Sequence, residues 1–188
     1  MADLAFSIDT FTEKLASGGA LGSLFQCNLV TAKGTNPSGS TLIDDFKYLC
    51  KGATLPASAV EAATVTYMGR AIQLPGNRAA AQLVTSVYND ENMEIRNHIE
   101  NWMELLNSHR TNKRATGMAQ INSYTGSLTV EQLHKTGAGV TKAYEFIQAW
   151  PSSCAEIAVA WDTNEIETFD ITWEYAYWKS DESSVGTD

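Results

Sequence analysis

The stretch Gly69-Arg-Ala-Ile-Gln-Leu-Pro-Gly-Asn-Arg78 is the first place to look for chemistry, because two arginines bracket a short apolar run and a Pro-Gly pair. Glycine amides beside guanidinium groups are a common way to cradle a phosphate. Here a strand-like run separates Gly69 from Gly76, so their amides cannot converge on one anion. Gly137-Ala-Gly139 lacks the third glycine and the strand-to-helix setting of a dinucleotide loop, and no GxSxG marks a nucleophile. His98, His109 and His134 lie in three different contexts without metal-ligand spacing, and read as surface residues. Glu165 and Glu167 could pair for acid-base work, yet in a chain with 22 acids a solvated strand face is the plainer reading. The sequence therefore offers no catalytic residue, no metal set and no cofactor.

Two other residue types bear on function. Cys27, Cys50 and Cys154 are odd in number, far apart and without a CxxC pair; each sits among strand-like residues, as buried thiols made in a reducing cytoplasm do. Five tryptophans could stack on sugars in a lectin-like module, but Trp161 and Trp173 fall on positions that read as core-facing. The formal net charge of -9 argues against a surface that neutralises phosphates. It suits a chain that sits near DNA without holding it, or one that is simply kept soluble. A length of 188 residues favours one domain. The N-terminus shows no secretory pattern, and nowhere are there ~18 consecutive apolar residues to cross a membrane.

The elements that position these residues read mostly as strands. Thr10 and Glu13 resemble a capping box, placing a short helix at 11–16. Residues 23–30 read as a strand, and 31–41, rich in Gly, Ser and Thr, as a mobile loop. Phe46, Tyr48 and Cys50 alternate, predicting a half-buried strand that stops before Pro56. Segments 59–69 and 80–89 continue in the same β-branched style. Then the period changes: Ile95, Ile99, Trp102 and Leu106 form one stripe of a helix over 91–109, capped by Asn89 or Asp90. His109, Arg110, Lys113 and Arg114 follow its end, where they complement the dipole; a docking patch is the alternative. Strands return at about 122–134, 142–150, 154–161 and 166–178. In the last, Phe169, Ile171, Trp173, Tyr175 and Tyr177 share one face.

The pattern predicts a mostly β (α+β) fold: two packed antiparallel sheets forming a sandwich or barrel, with one flanking helix. One domain spans 1–178, and a polar acidic tail occupies 179–188. So many strands without disulfide staples leave open edges, which pair with other chains unless they are blunted. Head-to-tail pairing around a ring would satisfy them.

Three blocks then carry a resemblance: Cys50-Lys51 through Leu55-Pro56, Tyr67 through Arg78, and Trp150-Pro151 through Trp178. In this order and spacing, from about Ser23 to Trp178, the chain resembles the tail tube proteins of contractile-tailed, T4-like bacteriophages. The resemblance implies a fold shared with the type VI secretion tube, and hexameric rings stacked into the hollow inner tube of a virion, assembled in the host cytoplasm. It implies partners: further copies of itself, the tail sheath protein, the baseplate hub, the tape measure protein and the tail terminator, with DNA passing through the lumen without specific binding.

By the same resemblance, Leu55, Pro56, Arg70, Leu74, Pro75, Gly76 and Arg78 belong to connections where subunits or successive rings meet. Pro75-Gly76 reads as a type II turn with positive φ at the glycine. Arg70 and Arg78 would pair with acids across the seam or within one subunit. A lumen carrying acids would repel the duplex; Glu61, Glu131 and Glu145 are the candidates. The 31–41 loop and the tail exceed what the family core requires. Two other readings remain at this level: a tube subunit of a type VI secretion-like or other contractile injection system, and a monomeric β-sandwich binding module.

Overall fold

The computed structural model describes residues 8–15, 18–31, 41–79, 81–137, 139–162 and 164–181, with the side chains of 41–44 excepted. In chain order these form α1 (Ile8–Lys14), β1 (Phe25–Val30), α2 (Thr41–Leu49), β2 (Cys50–Ala53), β3 (Val60–Tyr67), β4 (Arg70–Arg78), β5 (Leu83–Tyr88), α3 (Glu94–Leu106), α4 (Ile121–Tyr124), β6 (Gly126–Leu133), β7 (Val140–Cys154), β8 (Thr168–Glu174) and β9 (Tyr177–Ser180).

Seven strands form one antiparallel system ordered β1-β6-β7-β8-β5-β2, with β9 also on β7. The 15-residue β7 belongs to two sheets. Its first part lies between β6 and β9, and its last residues pair with β8. Between the two parts Gln148 adopts φ 56°, a left-handed conformation costly for a residue with a Cβ. That kink turns the strand from the sheet β1-β6-β7-β9 into the sheet β7-β8-β5-β2. Two packed antiparallel sheets were expected, and these are found; the path is open between β1 and β2.

Alternation explains which faces meet. Cys27 and Leu29 on β1, Leu128 and Val130 on β6, Phe146 on β7, Leu83 and Val87 on β5, and Phe169, Ile171 and Trp173 on β8 are all buried. Each large apolar side chain removed from water contributes about 1.5–3 kcal/mol. The α3 stripe closes the core with Ile95, Ile99 and Trp102 buried. The helix starts at Glu94 rather than 91 and its N-cap position is Met93, but Asp90 still serves its first turn: its carboxylate accepts the Glu94 amide at 3.0 Å and the Asn92 amide at 3.2 Å. Arg96 pins the helix to the sheet by donating to the Ala155 carbonyl at 3.1 Å. Phe46, Trp173, Trp102 and His98 run edge to face through the centre, with ring centroids 6.0–6.3 Å apart. The indole N–H groups are satisfied: Trp102 donates to the Tyr124 carbonyl at 2.7 Å, and Trp173 to the Thr85 hydroxyl at 2.9 Å.

Several expectations are corrected. Residues 41–49 are helical, with Phe46 and Leu49 on the face toward the core while Tyr48 is 75% exposed. The described residues thus contain four helices, α2 and α4 in addition to the short N-terminal helix and the long helix expected. No strand occupies 155–161: β7 ends at Cys154, and β8 already has β7 on one edge and β5 on the other. Trp161 is consequently fully exposed rather than core-facing. The strand expected at 166–178 is β8 followed by β9, both along β7, interrupted at Tyr175-Ala176. The beginning of the strand expected at 122–134 is α4. His98 is buried, not at the surface. Most of the 31–41 loop (32–40), and of the tail (182–188), lies outside the described residues.

Candidate functional site

β3 and β4 form a two-stranded sheet of their own, and every residue of both strands is exposed. They are joined at Met68-Gly69, with φ 47° and 76°. Two consecutive positive φ values make the tight primed turn whose twist matches a hairpin. This corrects the turn expected at Pro75-Gly76. Those two residues instead lie inside β4, where Pro75 is the register partner of Ala62 beside an irregularity. Proline is tolerated there because the outer edge of β4 has no strand partner among the described residues. Gly76 is needed for a different reason from the one expected. Its φ is not positive. A Cβ at this position would stand 2.9 Å from the Glu61 carbonyl oxygen.

The register sorts the hairpin into two faces. Val65 opposes Ile72, Ala63 opposes Leu74 and Tyr67 opposes Arg70. Since opposed residues share a face, Val65, Tyr67, Ile72 and Leu74 make an apolar surface, at 49%, 65%, 47% and 48% exposure. The other face carries Thr64, Thr66 and Gln73, with the Thr64 hydroxyl donating to the Gln73 side-chain Oε1 at 2.8 Å. A hairpin with an apolar face and nothing against it is marginal alone in water.

The expected interface residues cluster around this hairpin. Arg70 begins β4 and Arg78 ends it, where it donates to the Ser58 hydroxyl at 3.4 Å. Neither arginine forms an ion pair among the described residues. Leu55 and Pro56 lie in the connection from β2 to β3, with Leu55 half exposed. Sequence reasoning missed the tip, Tyr67 and Met68, the latter 89% exposed; the signal available was Met-Gly between two alternating runs. It also missed Val159, Trp161 and Ile166, all more than two-thirds exposed. The connection that carries them encloses a recess of about 300 Å³ between residues 157–160 and 165–168.

The three candidate acids separate. Glu61 is on the hairpin. Glu131 and Glu145 fall on one face of β1-β6-β7-β9, opposite to the core. Across four strands the row Asn28, Thr129, Glu145, Lys179 lies in register, and Gln26 and Glu131 lie beside it. These two rows are polar, whereas the neighbouring row on the same face, Val30, Ser127, Ile147 and Tyr177, is largely apolar. The Asn28 amide donates to Glu131 at 3.2 Å, and the Lys179 ammonium meets Glu145 at 2.9 Å. That contact raises the Lys179 pKa, through its hydrogen bond to Glu145 first and the attraction of the charge second. Among the described residues no group of three or more His, Cys, Asp or Glu could hold a metal ion.

Comparison with known proteins gives one picture. Residues 20–181 match the profile of a family described as phage tail tube protein. The tail tube proteins gp19 of Enterobacteria phages T4 and T6 are each 30% identical over 174 residues, covering 92% of this chain and 99% of theirs. Among solved structures, a chain of the extended sheath-tube complex of the extracellular contractile injection system PVC superposes with TM-score 0.58. It does so at 12% identity, over 90% of this chain and 96% of that one.

Proposed function

The chain belongs to the phage tail tube protein family, and from that premise we propose that it closes into hexameric rings that stack by covering the apolar hairpin face. It is a structural component of the virion, a tube subunit of a contractile tail. The observation that carries the proposal is the face formed by Val65, Tyr67, Ile72 and Leu74, which stays about half exposed or more among the described residues. Burial on neighbouring copies contributes about 25 cal/mol per Å² of apolar surface. The unpaired edges of β3 and β4 can extend a neighbour's sheet at the same time. Leu55, Pro56, Leu74, Pro75 and Gly76 sit in or beside this contact, and Arg70 and Arg78 reach acids of adjacent subunits. Exposed Val159, Trp161 and Ile166 supply a second apolar patch.

The face carrying Glu131 and Glu145 lines the bore in this reading, and Glu61 belongs to the contact between copies. Carboxylates on the wall repel the phosphates of passing DNA, within a range of about 10 Å at 0.1 M salt. Ammonium groups unmatched by acids would instead exchange with counterions and hold the duplex. The tail sheath protein surrounds the tube, the baseplate hub starts it and the terminator ends it. The tape measure protein fills the bore before DNA does.

The test uses purified full-length chain carrying Val65→Asp with Ile72→Asp, viewed by negative-stain electron microscopy and sedimentation. The expected result is loss of rings and filaments with an unchanged circular dichroism spectrum. Wild-type-like tubes from this variant overturn the assignment of the contact.

A further inference from the structure

Two thiols meet where the curled sheet comes nearest to closing. β1 and β2 are the two ends of the strand path, and the fold brings them against each other. Among the described residues β1 is laddered to β6 and β2 to β5, with no ladder between β1 and β2. Cys27 in β1 is wholly buried and Cys50, the first residue of β2, is 8% exposed. Both thiols lie in the same buried core cluster, and each is the first cause of the other's altered acidity. Cys50 in turn directs its own hydrogen toward the Gly52 carbonyl, 3.5 Å from the sulfur. The third cysteine, Cys154, is half buried at the end of β7.

We propose that Cys27 and Cys50 are a redox-closable pair, which a peroxide-class oxidant converts into a disulfide tying β1 to β2 across the seam. The asymmetry of the pair fits the chemistry. The interaction with Cys27 holds the Cys50 pKa below the ordinary thiol value. The same interaction, followed by burial, pushes Cys27 up. Cys50 is then the sulfur that ionises first, and the thiolate is the nucleophile. Its thiolate attacks the peroxide O–O bond, forming a sulfenic acid and releasing hydroxide, which takes up a proton to become water. The Cys27 sulfur then displaces the sulfenic oxygen, which leaves as a second water. Over both steps the two thiols lose two hydrogens and two electrons, and one hydrogen peroxide becomes two waters. Such a bond is kept open in reducing surroundings and forms in oxidising ones. Joining β1 to β2 restricts the unfolded chain and raises stability. This inference concerns the subunit alone and stands whether or not the hairpin contact is correct.

The test treats the full-length chain, as wild type and as Cys154→Ser, with hydrogen peroxide under native conditions. The protein is then unfolded, alkylated and mapped by mass spectrometry. The expected result is protection of Cys27 and Cys50 in both proteins, with their peptides linked and two hydrogens lighter than the separate pair. Dithiothreitol restores alkylation. The thermal midpoint rises on oxidation and does not rise in Cys50→Ala. Alkylation of both residues after peroxide treatment overturns the proposal, as does over-oxidation of Cys50 without a link. A disulfide that joins two chains overturns it as well.

Discussion

Single residues illustrate how far alternation alone can be trusted. Trp173 was placed correctly because Phe169, Ile171 and Trp173 repeat with period two and all three are buried. His98 was misplaced because it was read by residue type as a surface histidine, although it stands one turn before Trp102 on the predicted helix and packs against that ring. Neither of its ring nitrogens has a hydrogen-bond partner among the described residues, and burial lowers its pKa. The unfolded chain therefore takes up a proton at higher pH than the folded one. Stability is complete above about pH 6.5 and is lost as the pH falls from there toward the depressed folded value. Thermal midpoints measured from pH 7.5 down to 5 should fall, and His98→Phe should flatten that slope; an unchanged slope rules out this residue as its source. Thr85→Val should cost about 1–3 kcal/mol, because the Trp173 indole N–H would be left buried and unpaired. A denaturant midpoint measures this. Gly126→Ala should be at least as harmful, about 1–3 kcal/mol or more, since a Cβ there would run into the Val30 carbonyl and the Trp102 ring.

Elements were legible where periodicity was long and obscure where tertiary partners decide. The α3 stripe spans more than two turns, so its type and buried face followed from spacing, and Asp90 was among the caps expected. Asp90→Ala should cost about 0.5–2 kcal/mol. Urea unfolding should register that loss through an earlier midpoint, with a slope near that of wild type. By contrast α2 and β2 join at Leu49-Cys50, so Phe46 and Cys50 satisfy a period of two and a period of four at once. Only the packing of Phe46 on Trp173 chooses the helix. The hairpin is a third case. Its strands were expected, but its turn was assigned to Pro75-Gly76 on residue preference, whereas Met68 accepts an unfavourable left-handed conformation. Amphipathic alternation over 63–74 reads as a half-buried strand pair; what a single sequence cannot display is that the apolar face stays exposed among the described residues. Gly76→Val should weaken the hairpin through the close Glu61 carbonyl rather than through φ. Its assembly defect should therefore match that of Gly76→Ala in kind and exceed it in size, as judged by filament yield.

At the scale of the whole molecule, an acidic composition, many strands and the three quoted blocks conveyed the class of protein, while the placement of surfaces needed the fold. Net charge does not say that Glu131 and Glu145 share a face with Lys179, because the four strands involved are scattered from residue 25 to residue 180. If that face lines the bore, Glu131→Lys with Glu145→Lys should leave ring formation intact. DNA release from particles built with the variant should slow, and most strongly at low ionic strength, because screening weakens charge effects. Release kinetics indistinguishable from wild type at low salt would move the lumen to another surface.

The left-handed residue in β7 has a consequence for shape. Two layers built from separate strands set their mutual angle through many adaptable contacts, whereas here one continuous backbone crosses from layer to layer at Gln148. The tilt between layers is thereby written into a single pair of torsions. Curvature in a closed circle of copies accumulates that tilt once per copy, so an error of a few degrees at one peptide would be multiplied around the circumference and decide whether it shuts.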